Sequence, residues 1–182
     1  MTTGRVDWAR RPGPDEHAPY FARYLTQVPD GDLLATLERD GAALVRRLRS
    51  IPPVLETHAY APDKWTVRAV IGHIIDVERV FGLRALWFAR GAATPLPGFE
   101  ENDWARASNA DDRALAELAD ELEAVRRSTV RMLKGFDAAA LERRGVSNGV
   151  ELTPRAAAWI IAGHATHHLR ILEERYLTAA TP

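Results

Sequence analysis

The 182-residue chain has no cysteine. That excludes disulfides, thiolate metal sites and a cysteine nucleophile, and leaves His, Asp and Glu as the metal ligands on offer. Any thiol in its chemistry has to come from outside. Net charge is missing too: 24 Lys and Arg against 25 Asp and Glu leave a formal −1. The two signs alternate, with no basic stripe to follow a phosphate backbone, so nucleic acid is not an expected partner. Long apolar runs are absent. The opening MTTGRVDWARRPGPDEHAPY has no apolar leader segment, and no later stretch reaches the length of a membrane span. A cytoplasmic protein without membrane contact is expected. Strand-like alternation is lacking as well, and what remains is helical periodicity.

With 46% hydrophobic residues, the chain can build a core of its own, and one domain over residues 1–182 is expected. Residues 1–29 read as an arm, with a short helix over Ala18–Val28 packing Tyr20, Phe21 and Tyr24 on the body. Asp30 is a candidate N-cap for a first helix through Leu33, Leu37, Leu44 and Leu48, stopped by Pro52–Pro53. Thr66 caps a second, with Trp65 and Val70 as a hydrophobic staple and Gly91 at its end. Ser108 or Asn109, followed by Asp111 and Asp112, opens a third that runs to Lys134–Gly135. Thr153–Pro154 supplies an N-cap and a first-position proline for a fourth, to about Leu177. The expected fold is all-α: a four-helix bundle. The link from Gly91 to Asn109 is about twice the usual length and reads as a crossover that makes helices two and three parallel. Its PLPGFEENDW stretch carries Phe99 and Trp104 to dock on the bundle.

Three histidines interrupt apolar seams of this bundle. On the fourth helix, Ala157–Ile161–His164–His168–Leu172 is a core row, and residues four apart project from one face. On the second, Val70–His73–Val77–Val80 has the same form. A buried imidazole without a partner costs about 1–3 kcal/mol, so each of the three needs one. The choice lies between hydrogen-bonded core histidines and a shared divalent ion between the two helices. His167 turns about 100° from His168 and fits an interfacial or supporting place better than that of a ligand. Asp76, one turn beyond His73, is a candidate to orient a ligand, unless it is an ordinary salt-bridging carboxylate. Glu78 turns further away. His17 and His58 fall in non-helical stretches at the surface, and Trp65, Trp87 and Trp159 read as core or staple residues.

The order KWTVRAVIGHIIDVERVF, a long loop with PLPGF, then LTPRAAAWIIAGHATHHLRILEERY resembles the DinB-like superfamily of metal-dependent enzymes. The N-terminal DEHAPYFARYLTQVPDGDLL is similar to the opening of one branch, so the likeness covers nearly the whole chain. It implies a four-helix bundle in which His73, His164 and His168 bind a divalent metal, zinc or nickel. It also implies thiol S-transfer or isomerisation as candidate chemistry, since better-understood relatives use mycothiol or bacillithiol. Many relatives follow the last histidine with Arg-Gly-Gln, whereas this chain reads HHLRIL, which puts it in another branch and leaves the substrate open.

The expected function is that of a metal-dependent enzyme acting on a small molecule. Its three-His ion would activate water for hydrolysis or an external low-molecular-weight thiol for S-transfer, with His167 or Asp76 as base or supporting partner. The alternative is a non-catalytic, stress-related module in which the ion only staples two helices. A homodimer is expected in either case, by analogy with the resembling proteins.

Overall fold

Pro19 presets the backbone for a 3-10 turn, Pro19–Phe21, that runs into a short helix, α1 (Ala22–Leu25). The computed structural model, which describes residues 6–178, joins this arm to four long helices: α2 (Leu33–Arg49), α3 (Val67–Ala89), α5 (Leu115–Lys134) and α7 (Pro154–Ile171). Two shorter helices lie between them, α4 (Glu101–Ala107) and α6 (Ala138–Glu142). Among the described residues no helix is long and apolar enough to cross a membrane.

The caps on α3 and α7 are the expected ones: Thr66 accepts from Ala69 N and Thr153 from Ala156 N, with Pro154 first in its helix. Two others move. Asp32, not Asp30, caps α2 by accepting from Ala35 N, while Asp30 lies before the left-handed Gly31 and pairs with Arg11 at 2.9 Å. Asn109 does not cap α5 either. Its own φ is +52° and it opens a 3-10 turn, Ala110–Asp112, whose Asp111 is spent on α3, bonded to Thr66 through its side chain and to Arg68 through its carbonyl. The helix itself starts at Leu115 with no side-chain cap. At the far end α7 gives way at Leu172–Tyr176 to a π turn, and the Tyr176 hydroxyl donates to the Trp65 carbonyl at 3.0 Å.

Contacts between helices give the topology. Thr66 meets Asp111, Arg79 meets Glu121 and Glu78 meets Arg126, so numbers rise together and α3 runs parallel to α5. By contrast Lys134 meets Glu38 and Asp120 meets Arg49, so α2 and α5 are antiparallel. The link between α3 and α5 is thus the expected crossover. It contains α4, with Phe99 tilted against Trp104 at 4.7 Å; Trp104 stays 44% exposed, so Phe99 does more of the docking.

A feature the periodicity did not reveal is a hairpin of β1 (Gly145–Ser147) and β2 (Val150–Leu152), paired antiparallel with Ser147 opposite Val150. Its turn is Asn148-Gly149 with φ of +52° and +76°, and Asn-Gly between two short apolar stretches is the strongest local signal for such a hairpin. Leu96 of the crossover joins it as a parallel bridge to Ser147, with backbone bonds to Val146 O and from Asn148 N at 3.0 Å each.

The core falls into two clusters stacked along the bundle. One surrounds Trp159, Phe81, Phe88, Leu37 and Leu133; the other surrounds Ile71, Ile74, Leu48, Leu118 and Tyr176. The arm closes on α7 at Gly163, where a Cβ would stand 2.0 Å from the Tyr24 carbonyl oxygen. Backbone cannot yield as a side-chain tip does. Gly163→Ala should therefore push α1 away and destabilise the protein by about 1–3 kcal/mol, the scale of overpacking, with Tyr24 fluorescence changing as the ring leaves His164. A variant with unchanged denaturation midpoint would show that the arm does not depend on this contact.

Candidate metal centre

Where the two core clusters meet, α3 and α7 place His73, His164 and His168 so that one ligand nitrogen from each lies within 4.8 Å of the others. The ring centroids are 4.9 Å apart for His73–His164, 4.9 Å for His73–His168 and 4.4 Å for His164–His168. The four-residue spacing on α7 stacks His164 and His168, and antiparallel packing of α3 brings His73 across to both. His73 Nε2 faces His164 Nε2 at 3.0 Å. Among the described residues, the three rings make no hydrogen bond to a carbonyl, carboxylate or hydroxyl, so the ordinary partners of core histidines are lacking.

The electrostatics suit a cation. Burial pushes His73 down to about 4 and His168 down to about 3, the latter aided by the neighbouring imidazoles; burial first, then its His neighbours, hold His164 well below 6.5. All three are neutral at pH 7, with lone pairs converging. Two tetrahedral ligands at 2.0–2.1 Å from zinc stand roughly 3.3 Å apart, close to the observed Nε2 separation. The donor set and spacing fit a divalent ion of the borderline-soft kind that imidazole suits.

These depressions set a pH dependence in the metal-stripped protein. Below the ordinary imidazole value of 6.5, the unfolded chain takes up protons that the folded chain refuses. This part of the stability is therefore complete above 6.5 and drains away as pH falls toward the folded values of about 4 and about 3. For His168 alone the loss at about pH 5 is about 2 kcal/mol, from 1.36 kcal/mol per unit below its unfolded value. Urea denaturation of metal-stripped wild type should show a steeper acid loss than His168→Leu, and equal losses would contradict the burial argument.

Around the rings, Trp65 tilts over His73 at 4.7 Å, and Tyr24 sets its edge on His164 at 5.3 Å and on His167 at 5.4 Å. His167 is half-buried outside the three-ring group, its Nδ1 3.2 Å from Gln27 Nε2. Asp76 is half-buried, also outside the group; burial raises its carboxyl, with Arg79 and Glu121 the charged groups near it. Glu78 pairs with Arg126. His17 bonds the Ala18 carbonyl and His58 lies against Tyr176; each is partly buried and distant from the centre in its contacts. Trp159 is fully buried under the Arg11 guanidinium, and Trp87 donates to Thr94 O at 2.9 Å to hold the crossover.

One side of the centre opens on a cavity of about 380 Å³, walled by α1, α3, α7, the hairpin and the Gly98–Phe99 stretch, with His73 and His164 in its lining. Tyr24, Arg84, Glu101 and Ser147 also line it, none of them on the histidine seams that the sequence marks. Arg84 was detectable as a charge three turns after His73 on the same apolar face; Ser147 needed the hairpin.

A model of the DinB superfamily matches residues 36–172. The chain belongs to the DinB superfamily. The match includes all three histidines and excludes the arm that supplies Tyr24. Among solved structures, this DinB protein is similar to YfiT from Bacillus subtilis, described as a probable metal-dependent hydrolase with an unusual four-helix bundle topology. The two share 15% identity over 95% of each chain with a TM-score of 0.73, a likeness of fold. No curated protein matches the chain.

Proposed function

We propose that this DinB protein is a divalent-metal-dependent enzyme, using zinc or nickel at His73, His164 and His168 and acting on a small molecule held in the adjoining cavity. The supporting observation is the junction itself: three neutral imidazoles converge on one point, and two of them also line a cavity of about 380 Å³. A structural staple between helices needs no such space beside it. A divalent ion held by these rings supplies Lewis acidity that makes water, or an external low-molecular-weight thiol, nucleophilic near neutral pH.

The chain's own residues do the rest. Trp65 and Tyr24 fix the planes of His73 and His164 and keep bulk water off them. With Gln27 as donor, His167 accepts at Nδ1 and carries its proton on Nε2. Burial and the nearby Arg170 and Arg23 lower its pKa, so it is neutral near pH 7 and serves as a supporting partner of the ring group or, on release of Gln27, as a base. Asp76 faces Arg79 and Glu121 and is the weaker candidate for that role. Hydrolysis and thiol S-transfer both remain within reach of this arrangement, and which one operates is a matter of the nucleophile admitted.

Cobalt substitution separates the enzyme from the staple. The cobalt-loaded protein should change its visible spectrum when a small thiol or azide is added, and the change should vanish in His168→Ala. Tight cobalt binding with no response to either addition would replace the enzyme reading with the structural one.

A further inference from the structure

At the end of the cavity remote from the histidines, Arg84 is buried, 5% exposed, without an acidic partner among the described residues. Its Nε has no hydrogen-bond partner, its Nη2 makes one long bond of 3.4 Å to the Pro97 carbonyl, and its Cζ lies over the Phe81 ring at 4.6 Å. Burial lowers its pKa with no charged neighbour contributing, and an arginine remains cationic even so. An uncompensated buried cation costs more than one long hydrogen bond returns. Arg84 is therefore poorly explained as a clip for the crossover. In the same lining, and bridged by Leu96, the residue before the Pro97 that Arg84 bonds, Ser147 is 2% exposed and its Oγ also lacks a partner. Glu101, the one carboxylate in the lining, is exposed and acts on Tyr24.

We propose that Arg84 and Ser147 form an anion subsite, so that the ligand is an apolar body carrying a terminal carboxylate or phosphate ester. The guanidinium donates to two oxygens through its planar fork and the serine hydroxyl donates to one of them. Eleven residues separate Arg84 from His73, three turns along one face and about 16 Å of rise. The side chain leans back over Phe81, one turn toward the histidines. That leaves roughly 10 Å, two turns of rise, between the anion and the imidazoles. The walls of this span are apolar: Val77, Phe81, Ile160, Phe21 and Phe99. That the far end of the ligand reacts at the metal rests on the function proposed above; the anion subsite does not.

Calorimetry on the full chain, both metal-stripped and zinc-loaded, tests this with hexanoate, hexyl phosphate and the neutral hexanamide at matched ionic strength. At least one anion should bind about tenfold or more tighter than the amide, the margin of a charge-assisted pair, and the better of the two identifies the headgroup. Arg84→Met should bring anion and amide within about twofold, and Ser147→Ala should weaken the preference about threefold while leaving amide binding unchanged. Equal binding of acid and amide by the wild type, no binding of either anion, or a preference retained in Arg84→Met overturns the proposal. If Arg84→Met does not fold, Ser147→Ala decides, and an unchanged preference there overturns it. Anion preference in metal-stripped protein stands even if cobalt gives no thiol or azide response. A cobalt response without anion preference removes the subsite alone.

Discussion

Replacing His164 with alanine should reduce the metal in protein purified without a His-tag from about one divalent ion per chain to a small fraction of that. His164 is the centre of the group: its Nε2 meets that of His73 at 3.0 Å, and its ring lies 4.4 Å from His168. Losing a ligand should cost more than the 10–100-fold in affinity that follows loss of a group merely supporting one. The substitution also deletes a buried, neutral side chain that lacks hydrogen-bonding partners other than its fellow ligands. The metal-free variant should therefore stay folded, and circular dichroism should distinguish metal loss from collapse. His58→Ala, altering a ring that packs on Tyr176, is the control and should keep its metal. Elemental analysis showing the same metal content in His164→Ala and wild type would sink the assignment of these residues to a metal.

The convergence of the three histidines was legible because it depends on two short-range facts: the four-residue spacing of His164 and His168, and the placing of His73 in an equally apolar seam. Thr66 and Thr153–Pro154 gave helix starts for the same reason, since a cap is a property of three or four consecutive residues. Asn109 misled because its neighbours Asp111 and Asp112 look like a helical first turn, while tertiary contacts with Thr66 and Arg68 claim that segment. The hairpin was missed although Asn148-Gly149 advertised it, because three-residue strands are too short to show an alternating pattern. The cavity could not be read at all. Its walls come from an arm, two helices, a hairpin and a crossover, and only the fold brings Tyr24, Phe99 and Ser147 together. Gly163 shows how local the cause can be: the residue before His164 is the one that must be small for the arm to reach the centre.

A second large effect is expected on the opposite side of α3. Glu78 lies five residues beyond His73, about 140° around the helix, and faces α5, where Arg126 donates to it from Nε at 2.8 and 3.1 Å and from Nη2 at 2.8 Å. Both side chains are buried, and Nη1 of the same arginine donates to the Leu37 carbonyl at 3.0 Å, so one guanidinium ties α2, α3 and α5. Gly41 leaves the room: a Cβ there would stand 2.9 Å from Arg126 Cγ. Glu78→Leu strands the cation in the core and should cost about 3–5 kcal/mol, read as a lower urea midpoint. Adding Arg126→Leu removes the stranded charge and should recover a substantial part of that loss, although the Leu37 carbonyl then goes without its donor. The pattern separates charge from packing, because a packing defect would grow in the double variant. Since the pair holds α3 from behind while His73 meets α7 in front, metal affinity should weaken in Glu78→Leu and return in the double variant. A single variant within about 1 kcal/mol of wild type would mean that Arg126 finds water or another acceptor, and the tie between the three helices would then not be what holds His73 in place.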